Sequence, residues 1–283
     1  MVGRIVKIIS NSYSVSSEDK IYNCIPRGKF RYEGLTPLVG DIVDFDENTL
    51  TIEHIHERKN ELKRPEVANI DICIIVATLT RPEFSSFLLD KMVANVTLKD
   101  IKPIICLTKS DLLSEEQMEE FKPIIEYYNN IGIPTILNTE LDKLKSLVSG
   151  SLVTLTGQTG AGKSTLLNKL KPELNLETND ISEALGRGKH TTRHSEVYVF
   201  DDFSIVDTPG FSALDVDVEK ENIRFAFIEF DNSGCKFNDC MHLNEIGCRV
   251  KEQVLNHEVM ESRYENYRKM VTEYEDISKY SKK

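Results

Sequence analysis

The 283-residue chain has no apolar run approaching the ~20 residues that a bilayer crossing needs. Its first residues, Met1 to Lys7, lack the long apolar core of a secretory leader, so a cytoplasmic protein without a membrane partner is the expectation. It also lacks a strongly basic segment. The net charge is −11; residues 1–65 carry ten basic and ten acidic side chains, and residues 66–150, 151–218 and 219–283 sum to −5, −4 and −2. Bulk charge therefore makes no case for nucleic acid, and any RNA contact has to use local patches. Internal repeats and low-complexity tracts are absent. With 40% hydrophobic residues the chain reads as globular, and its length suggests two or three domains. Cys24, Cys73 and Cys106 sit singly in apolar stretches, where a thiol serves as a small core hydrophobe.

The chain is organised around Gly157-Gln158-Thr159-Gly160-Ala161-Gly162-Lys163-Ser164. This run satisfies the phosphate-loop pattern G-x-x-x-x-G-K-S/T at every position. An apolar run, Ser151 to Thr156, leads in, and a helical pattern, Ser164 to Leu170, leads out. The glycines let successive N–H groups converge on one anion, and the helix adds its positive N-terminal end. Lys163 is placed to reach the β- and γ-phosphates, and the Ser164 hydroxyl to ligate Mg2+.

Before this loop the texture changes once. Five short strands are predicted at Ile5–Ile9, Ser12–Ser16, Lys20–Pro26, Asp41–Asp46 and Thr51–His56. They suit a small barrel such as an OB-fold. Between two of them lie Arg27, Lys29, Phe30, Arg31 and Tyr32, cations interleaved with aromatics, which suits phosphates and stacked bases. The alternative is a solvated barrel loop. Glu57–Pro65, dense in charge, reads as a linker. Strands at Ile70–Ala77, Pro103–Leu107 and Ile133–Leu137 then alternate with helices at Phe84–Leu98, from Ser114, and at Glu140–Val148, which means βαβ units and a parallel sheet. Ser114 and Gln117 form a candidate capping box. After the phosphate-loop helix, Asn179–His194 reads as a mobile loop. Two strands come next, at Glu196–Phe200 and Phe203–Asp207, then helices near Glu219–Phe230 and Val259–Lys279.

Two further motifs define the ligand. Asp207-Thr208-Pro209-Gly210 succeeds an apolar strand, so that Asp207 can hold Mg2+ through a water while the Gly210 N–H faces the γ-phosphate. Thr108-Lys109-Ser110-Asp111 also succeeds a strand. The Asp111 carboxylate can accept from the two N–H groups on the Watson–Crick edge of guanine, a donor pair adenine lacks; such sites discriminate by about 10⁴-fold or more. The base motif here precedes the phosphate loop, whereas ordinary GTPases place it last. The order indicates a circular permutation, with the GTPase domain starting at Ile70. The segment after Gly210 then leads directly into the C-terminal region, so its movement could be passed straight to that region. There Cys235, Cys240, His242 and Cys248 place four soft ligands within 14 residues. They make a structural zinc set; disulfides are the rival, which an odd number of thiols and a reducing compartment disfavour.

Together these features resemble the circularly permuted GTPases of the ribosome small subunit-dependent GTPase A (RsgA) family. The resemblance spans nearly the whole chain. It implies an OB-fold β-barrel over 1–65, an α/β P-loop GTPase domain over 66–218 and a C-terminal α-helical zinc-binding domain over 219–283. It implies a factor that binds the 30S subunit and its 16S rRNA late in maturation, hydrolyses GTP to GDP with Mg2+, and is stimulated by that subunit; the alternatives are a GTPase serving another partner such as the large subunit, or a non-catalytic RNA-binding module. A monomer is expected. Thr108, Lys109, Ser110 and Asp111, the run Gly157 to Ser164, and Thr165 become GTP contacts, and the Cys/His set becomes one Zn2+ site. The segment Gly186 to Thr192 matches the family's first switch, so Thr191 or Thr192 should ligate Mg2+. One departure stands at Asn138-Thr139-Glu140, where a Ser-Ala-like guanine contact is expected. Catalysis is a separate matter, compared with GTPases in general. The residue after Gly210 is Phe211, which cannot orient a water as glutamine does. His190 is the candidate in its place, the alternative being that it contacts phosphate or rRNA.

Overall fold

The computed structural model describes residues 1–18, 20–32, 34–63, 66–174, 196–200, 202–207 and 220–280. In chain order the first elements are β1 (Val2–Ile9), β2 (Ser12–Ser17), β3 (Lys20–Pro26), α1 (Lys29–Tyr32), β4 (Ile42–Asp46), β5 (Thr51–Ile55), β6 (Glu61–Lys63), β7 (Glu66–Ala68) and β8 (Ile72–Thr78). Then come α2 (Ser86–Thr97), β9 (Lys102–Thr108), α3 (Glu115–Asn130), β10 (Thr135–Leu137), α4 (Leu141–Val148), β11 (Leu152–Thr156) and α5 (Lys163–Leu170). The last are β12 (Glu196–Val199), β13 (Ser204–Asp207), α6 (Arg249–Leu255) and α7 (Glu261–Tyr280). The chain forms two compact units, Met1–Ile74 with Thr139–Ser212, and Ile75–Asn138 with Ala213–Lys283. Among the described residues no helix is long and apolar enough to cross a membrane.

In the first unit β1 to β5 close on themselves. The order is β1-β2-β3-β5-β4, and β4 returns to pair with β1 at Val2↔Asp44, Gly3↔Val43 and Arg4↔Ile42. All pairings are antiparallel except β3 with β5. Alternate residues point inward, so Ile5, Val15, Cys24, Val43, Phe45 and Ile52 fill the barrel. This is the five-strand barrel the turn spacing predicts.

Two details differ from expectation. Phe30 does not offer a stacking face: α1 folds it onto the barrel core, where it is 4% exposed. An apolar ring between two cations gains more from closing the barrel than from lying in water. Residues 57–63 are also more than a linker. β6 and β7 form an antiparallel hairpin, and Arg58 turns inward onto the fully buried Asp41, Nε to Oδ1 and Nη2 to Oδ2 each at 2.8 Å. The Asp41 carboxylate in turn accepts from the Leu38 N–H at 2.7 Å. The charges that suggested a solvated tether neutralise one another instead.

The rest of this unit carries the phosphate loop. β11, buried at every residue, runs parallel to β13, and β12 runs antiparallel to β13. Asp71 fixes the start of β11, its N–H donating to the Leu152 carbonyl and its Oδ2 accepting from the Leu152 N–H, both at 2.9 Å.

In the second unit β9 and β10 are parallel, Ile105 to Leu107 beside Thr135 to Leu137. Ser85 caps α2, and Ser114 and Gln117 form the reciprocal capping box of α3. Helix α7 packs on α2. Ala94 of α2, Phe227, Phe230, Cys240, Cys248 and Tyr267 belong to one apolar core. The stretch expected to be an α-helix from Glu219 is a 3-10 helix, Lys220–Ala226, and α6 is an additional element. Cys73 and Cys106 are buried, as their apolar settings predict.

Candidate nucleotide site and metal centre

Three glycines shape the loop between β11 and α5. Gly157, Gly160 and Gly162 take φ of 151°, 77° and 97°, values that a side chain rarely allows. Gly162 stands at the start of α5, so the helix N–H groups open onto the loop. Ala161 is buried beneath it, and Leu166, Leu167 and Leu170 anchor α5. Thr159, Gly160 and Thr165 are exposed, while Ser164 is 9% exposed. The Lys163 ammonium folds over the loop and donates to the carbonyls of Gly157 at 2.6 Å and Gln158 at 2.9 Å. Burial lowers its pKa; a polyphosphate beside it would favour the charged form. The loop is a concave set of donors with one cation.

The second motif sits at the end of β9. Thr108 is buried and its Oγ1 donates to the Ala77 carbonyl at 3.3 Å. Lys109 adopts a left-handed conformation, φ 61°, and its ammonium donates to the Arg81 carbonyl. This turn starts the short 3-10 helix Ser110–Leu112 and leaves Asp111 exposed. Asn138 is buried beside it: its N–H donates to the Leu107 carbonyl at 2.9 Å and its Oδ1 accepts from Ser110 Oγ at 3.5 Å. The residue that departs from the Ser-Ala-like expectation thus braces the turn that carries Asp111. β13 delivers Asp207 at its C-terminal end. His190, Thr191, Thr192, Gly210 and Phe211 lie outside the described residues, as do the side chains of Asp207, Arg31 and Tyr32. In the barrel, Arg27 pairs with Glu53, and the Lys29 ammonium lies 5.4 Å from the Phe30 ring.

Cys235, Cys240, His242 and Cys248 converge, with one ligand atom of each lying within 4.8 Å of the others. Cys235 Sγ is 4.0 Å from Cys248 Sγ, and His242 Nδ1 is 3.5 Å and 3.4 Å from those two sulfurs. A tetrahedral ion with the bond lengths of zinc has S···S edges of about 3.8 Å and S···N edges of about 3.6 Å. The donor set therefore fits zinc in kind and in spacing. His242 Nε2 faces Asn232 Oδ1 at 2.7 Å, which puts the ring proton on Nε2 and leaves Nδ1 free to ligate. Burial, with help from Arg224, depresses the His242 pKa to about 4, so the imidazole is neutral. Burial pushes the Cys240 thiol up to about 12 and raises Cys248; a divalent cation is what would favour their thiolates.

The knuckle is braced from outside. Tyr264 donates to the His242 carbonyl at 2.6 Å and Tyr267 to the Met241 carbonyl at 2.5 Å. The Glu245 carboxylate accepts from the N–H groups of Met241 and Leu243, each at 2.8 Å, and Arg224 donates to the Cys240 carbonyl at 2.6 Å. Sequence spacing gives no sign of most of these supports, since Arg224, Asn232, Tyr264 and Tyr267 lie outside the ligand run and Glu245 alone lies within it.

A glycine-shaped phosphate loop between a buried strand and a helix, preceded in the chain by a strand-end T-K-S-D turn, defines a P-loop GTPase of permuted order. The RsgA GTPase family model matches residues 55–217, and the RsgA N-terminal domain model matches residues 2–52. The chain belongs to the RsgA GTPase family and is a GTP hydrolase. It is 44% identical over 280 residues to "Small ribosomal subunit biogenesis GTPase RsgA" of Staphylococcus haemolyticus, covering 96% of each chain. Among solved structures it resembles YjeQ from Thermotoga maritima (TM-score 0.84, 35% identity, 96% of this chain and 97% of that one). It also resembles YloQ, a circularly permuted GTPase (TM-score 0.83, 34% identity, 97% and 95%).

Proposed function

We propose that this GTPase acts late in maturation of the 30S ribosomal subunit, binding its 16S rRNA and hydrolysing GTP when that subunit is present. The observation that carries the reading is the near full-length likeness to relatives named for small-subunit biogenesis, joined to a barrel, a GTPase and a Cys/His centre in that order along this chain. The segments 1–65, 66–218 and 219–283 serve as barrel, GTPase and zinc-binding domains; the end of the GTPase family match at 217 supports the second boundary. Guanine is read by Asp111 with Thr108, Lys109 and Ser110 around it. The run Gly157 to Ser164 and Thr165 hold the phosphates, with Asp207 and Gly210 at the γ-phosphate. Ser164, Thr191, Thr192 and Asp207 serve Mg2+, and Cys235, Cys240, His242 and Cys248 hold one Zn2+. Arg27, Lys29, Arg31 and Tyr32 are the RNA-facing residues of the barrel, without Phe30. His190 positions the attacking water. The protein works as a cytoplasmic monomer.

GTP hydrolysis measured alone, with small subunits and with large subunits tests the reading. Stimulation by the small subunit alone supports it. Stimulation by the large subunit only, or by neither, overturns it.

A further inference from the structure

Asn138 stands where a Ser-Ala-like guanine contact is expected. β10 pairs with β9 up to Leu137↔Leu107, so Asn138 comes next, at the C-terminal end of β10 and beside that of β9. Ligands of parallel α/β sheets bind outside those ends. The Asn138 N–H donates to the Leu107 carbonyl at 2.9 Å, which fixes the backbone there. The side chain is 7% exposed, and its Oδ1 accepts from Ser110 Oγ at 3.5 Å, one residue before Asp111.

The Watson–Crick edge of guanine has three groups to satisfy: the N1–H and the 2-amino group donate, and O6 accepts. An ionised Asp111 is an acceptor only, so it serves the two donors and not O6. The other side-chain donors of the turn are turned elsewhere. The Thr108 hydroxyl donates to the Ala77 carbonyl, the Ser110 hydroxyl to Asn138, and the Lys109 ammonium to the Arg81 carbonyl. Asn138 differs from these. Its amide nitrogen carries two protons, and no group among the described residues accepts either of them. An amide that is nine-tenths buried with its protons unpaired is costly unless a ligand brings the acceptor.

We propose that the Asn138 side chain reads position 6 of the base, Nδ2 donating to guanine O6, while Asp111 reads positions 1 and 2. The inference rests on the guanine reading of the T-K-S-D turn given above. Ser110 holds Oδ1 and so sets which end of the amide faces the base. Adenine presents a 6-amino donor at this place. Nδ2 then meets another donor, and a third contact is lost in addition to the two lost at Asp111. Specificity for guanine is thereby divided between a carboxylate on the turn after β9 and an amide at the end of β10.

The test measures dissociation constants of the full-length chain for GDP, inosine diphosphate and 6-thioguanosine diphosphate. The thio analogue keeps the N1–H and the 2-amino group but offers sulfur, a weak acceptor, in place of O6. Inosine diphosphate keeps O6 and lacks the 2-amino group. Asn138→Ala should weaken GDP and inosine diphosphate alike, by about five- to tenfold, and the thio analogue by less than about twofold. Asn138→Asp keeps the size of the side chain and an oxygen for Ser110, but replaces the donor by an acceptor. It should bind GDP no better than Asn138→Ala, and it carries the test if circular dichroism shows that the alanine variant does not fold. GDP affinity unchanged in either variant overturns the proposal and leaves O6 to a backbone N–H. So does an equal loss for GDP and the thio analogue in Asn138→Ala, which marks Asn138 as a brace alone. A wild type that binds ADP as tightly as GDP removes the guanine reading itself, and this proposal with it.

Discussion

Replacement of Arg263 should be the most damaging single change in the second unit. This α7 side chain is 2% exposed. Its Nη1 is 2.5 Å from Asp90 Oδ1 on α2, and its Nε is 2.6 Å from Glu229 Oε1. The guanidinium lies 4.6 Å from the Phe227 ring centroid. Asp90 is 1% exposed and also accepts from Tyr128 of α3 and from Asn266 Nδ2. Arg263→Ala leaves two buried carboxylates without their cation. Removing one member of a buried pair costs about 3–5 kcal/mol, which is roughly a hundred- to several-thousand-fold in the opening equilibrium. Hydrogen exchange of the α2 and α7 amides, read by mass spectrometry, should show a loss of protection of that size. Burial already holds the Asp90 carboxyl above its ordinary pKa, with Arg263 pulling it back down. Without Arg263 it rises further. A carboxyl raised in the folded state favours folding least at high pH, so the defect should shrink as pH falls from neutrality toward the ordinary carboxylate range. The triple variant Arg263→Met/Asp90→Asn/Glu229→Gln should recover much of the loss, because no charge is then stranded. If Arg263→Ala changes protection by less than about tenfold, or if its defect is indifferent to pH, the network does not clamp α7 to α2.

Asp111→Asn should weaken GTP and GDP binding, measured with fluorescent analogues, and shift preference toward xanthine nucleotides; a wild type with equal affinity for ATP and GTP would refute the base reading, which calls for discrimination of about 10⁴-fold or more. Purified protein should contain about one zinc per chain, and chelation should expose the amides of residues 235–248 before those of the barrel; elemental analysis finding none would remove the metal. Charge removal at Arg27, Lys29 and Arg31 together should weaken small-subunit binding and lower its salt slope by roughly two to three while nucleotide binding persists; unchanged affinity removes the patch from the RNA surface. His190→Ala should abolish subunit-stimulated hydrolysis with nucleotide and subunit binding intact; near-normal stimulated turnover would pass the role to His194 or to a group from the ribosome.

Local geometry was the part of this molecule most open to reading from residues. A phosphate loop needs backbone that only glycine adopts readily, so Gly157, Gly160 and Gly162 announce it, and the capping box of α3 is written in Ser114 and Gln117. The barrel strands show in turn spacing and alternation because each strand has one buried face. Contacts between distant residues leave no such trace. Arg263 and Asp90 are 173 residues apart, and each looks like an ordinary charge on a helix surface. Arg58 misled for the same reason, since its partner Asp41 sits across a loop. Phe30 shows a related limit: composition suggested an aromatic among cations, but a four-residue helix decides which way the ring turns.

The tyrosine pair of α7 has a thermodynamic consequence. A free peptide that wraps an ion must surrender backbone freedom, at about 1–2 kcal/mol per residue fixed. Here Tyr264 and Tyr267 already grip the carbonyls of His242 and Met241, and Glu245 holds the amides on either side. Much of that ordering is done when α7 docks, before any ion arrives. Affinity for the ion is then a property of helix packing as much as of sulfur chemistry. The isolated 235–248 segment should bind zinc far more weakly than the intact chain, although it contains every ligand.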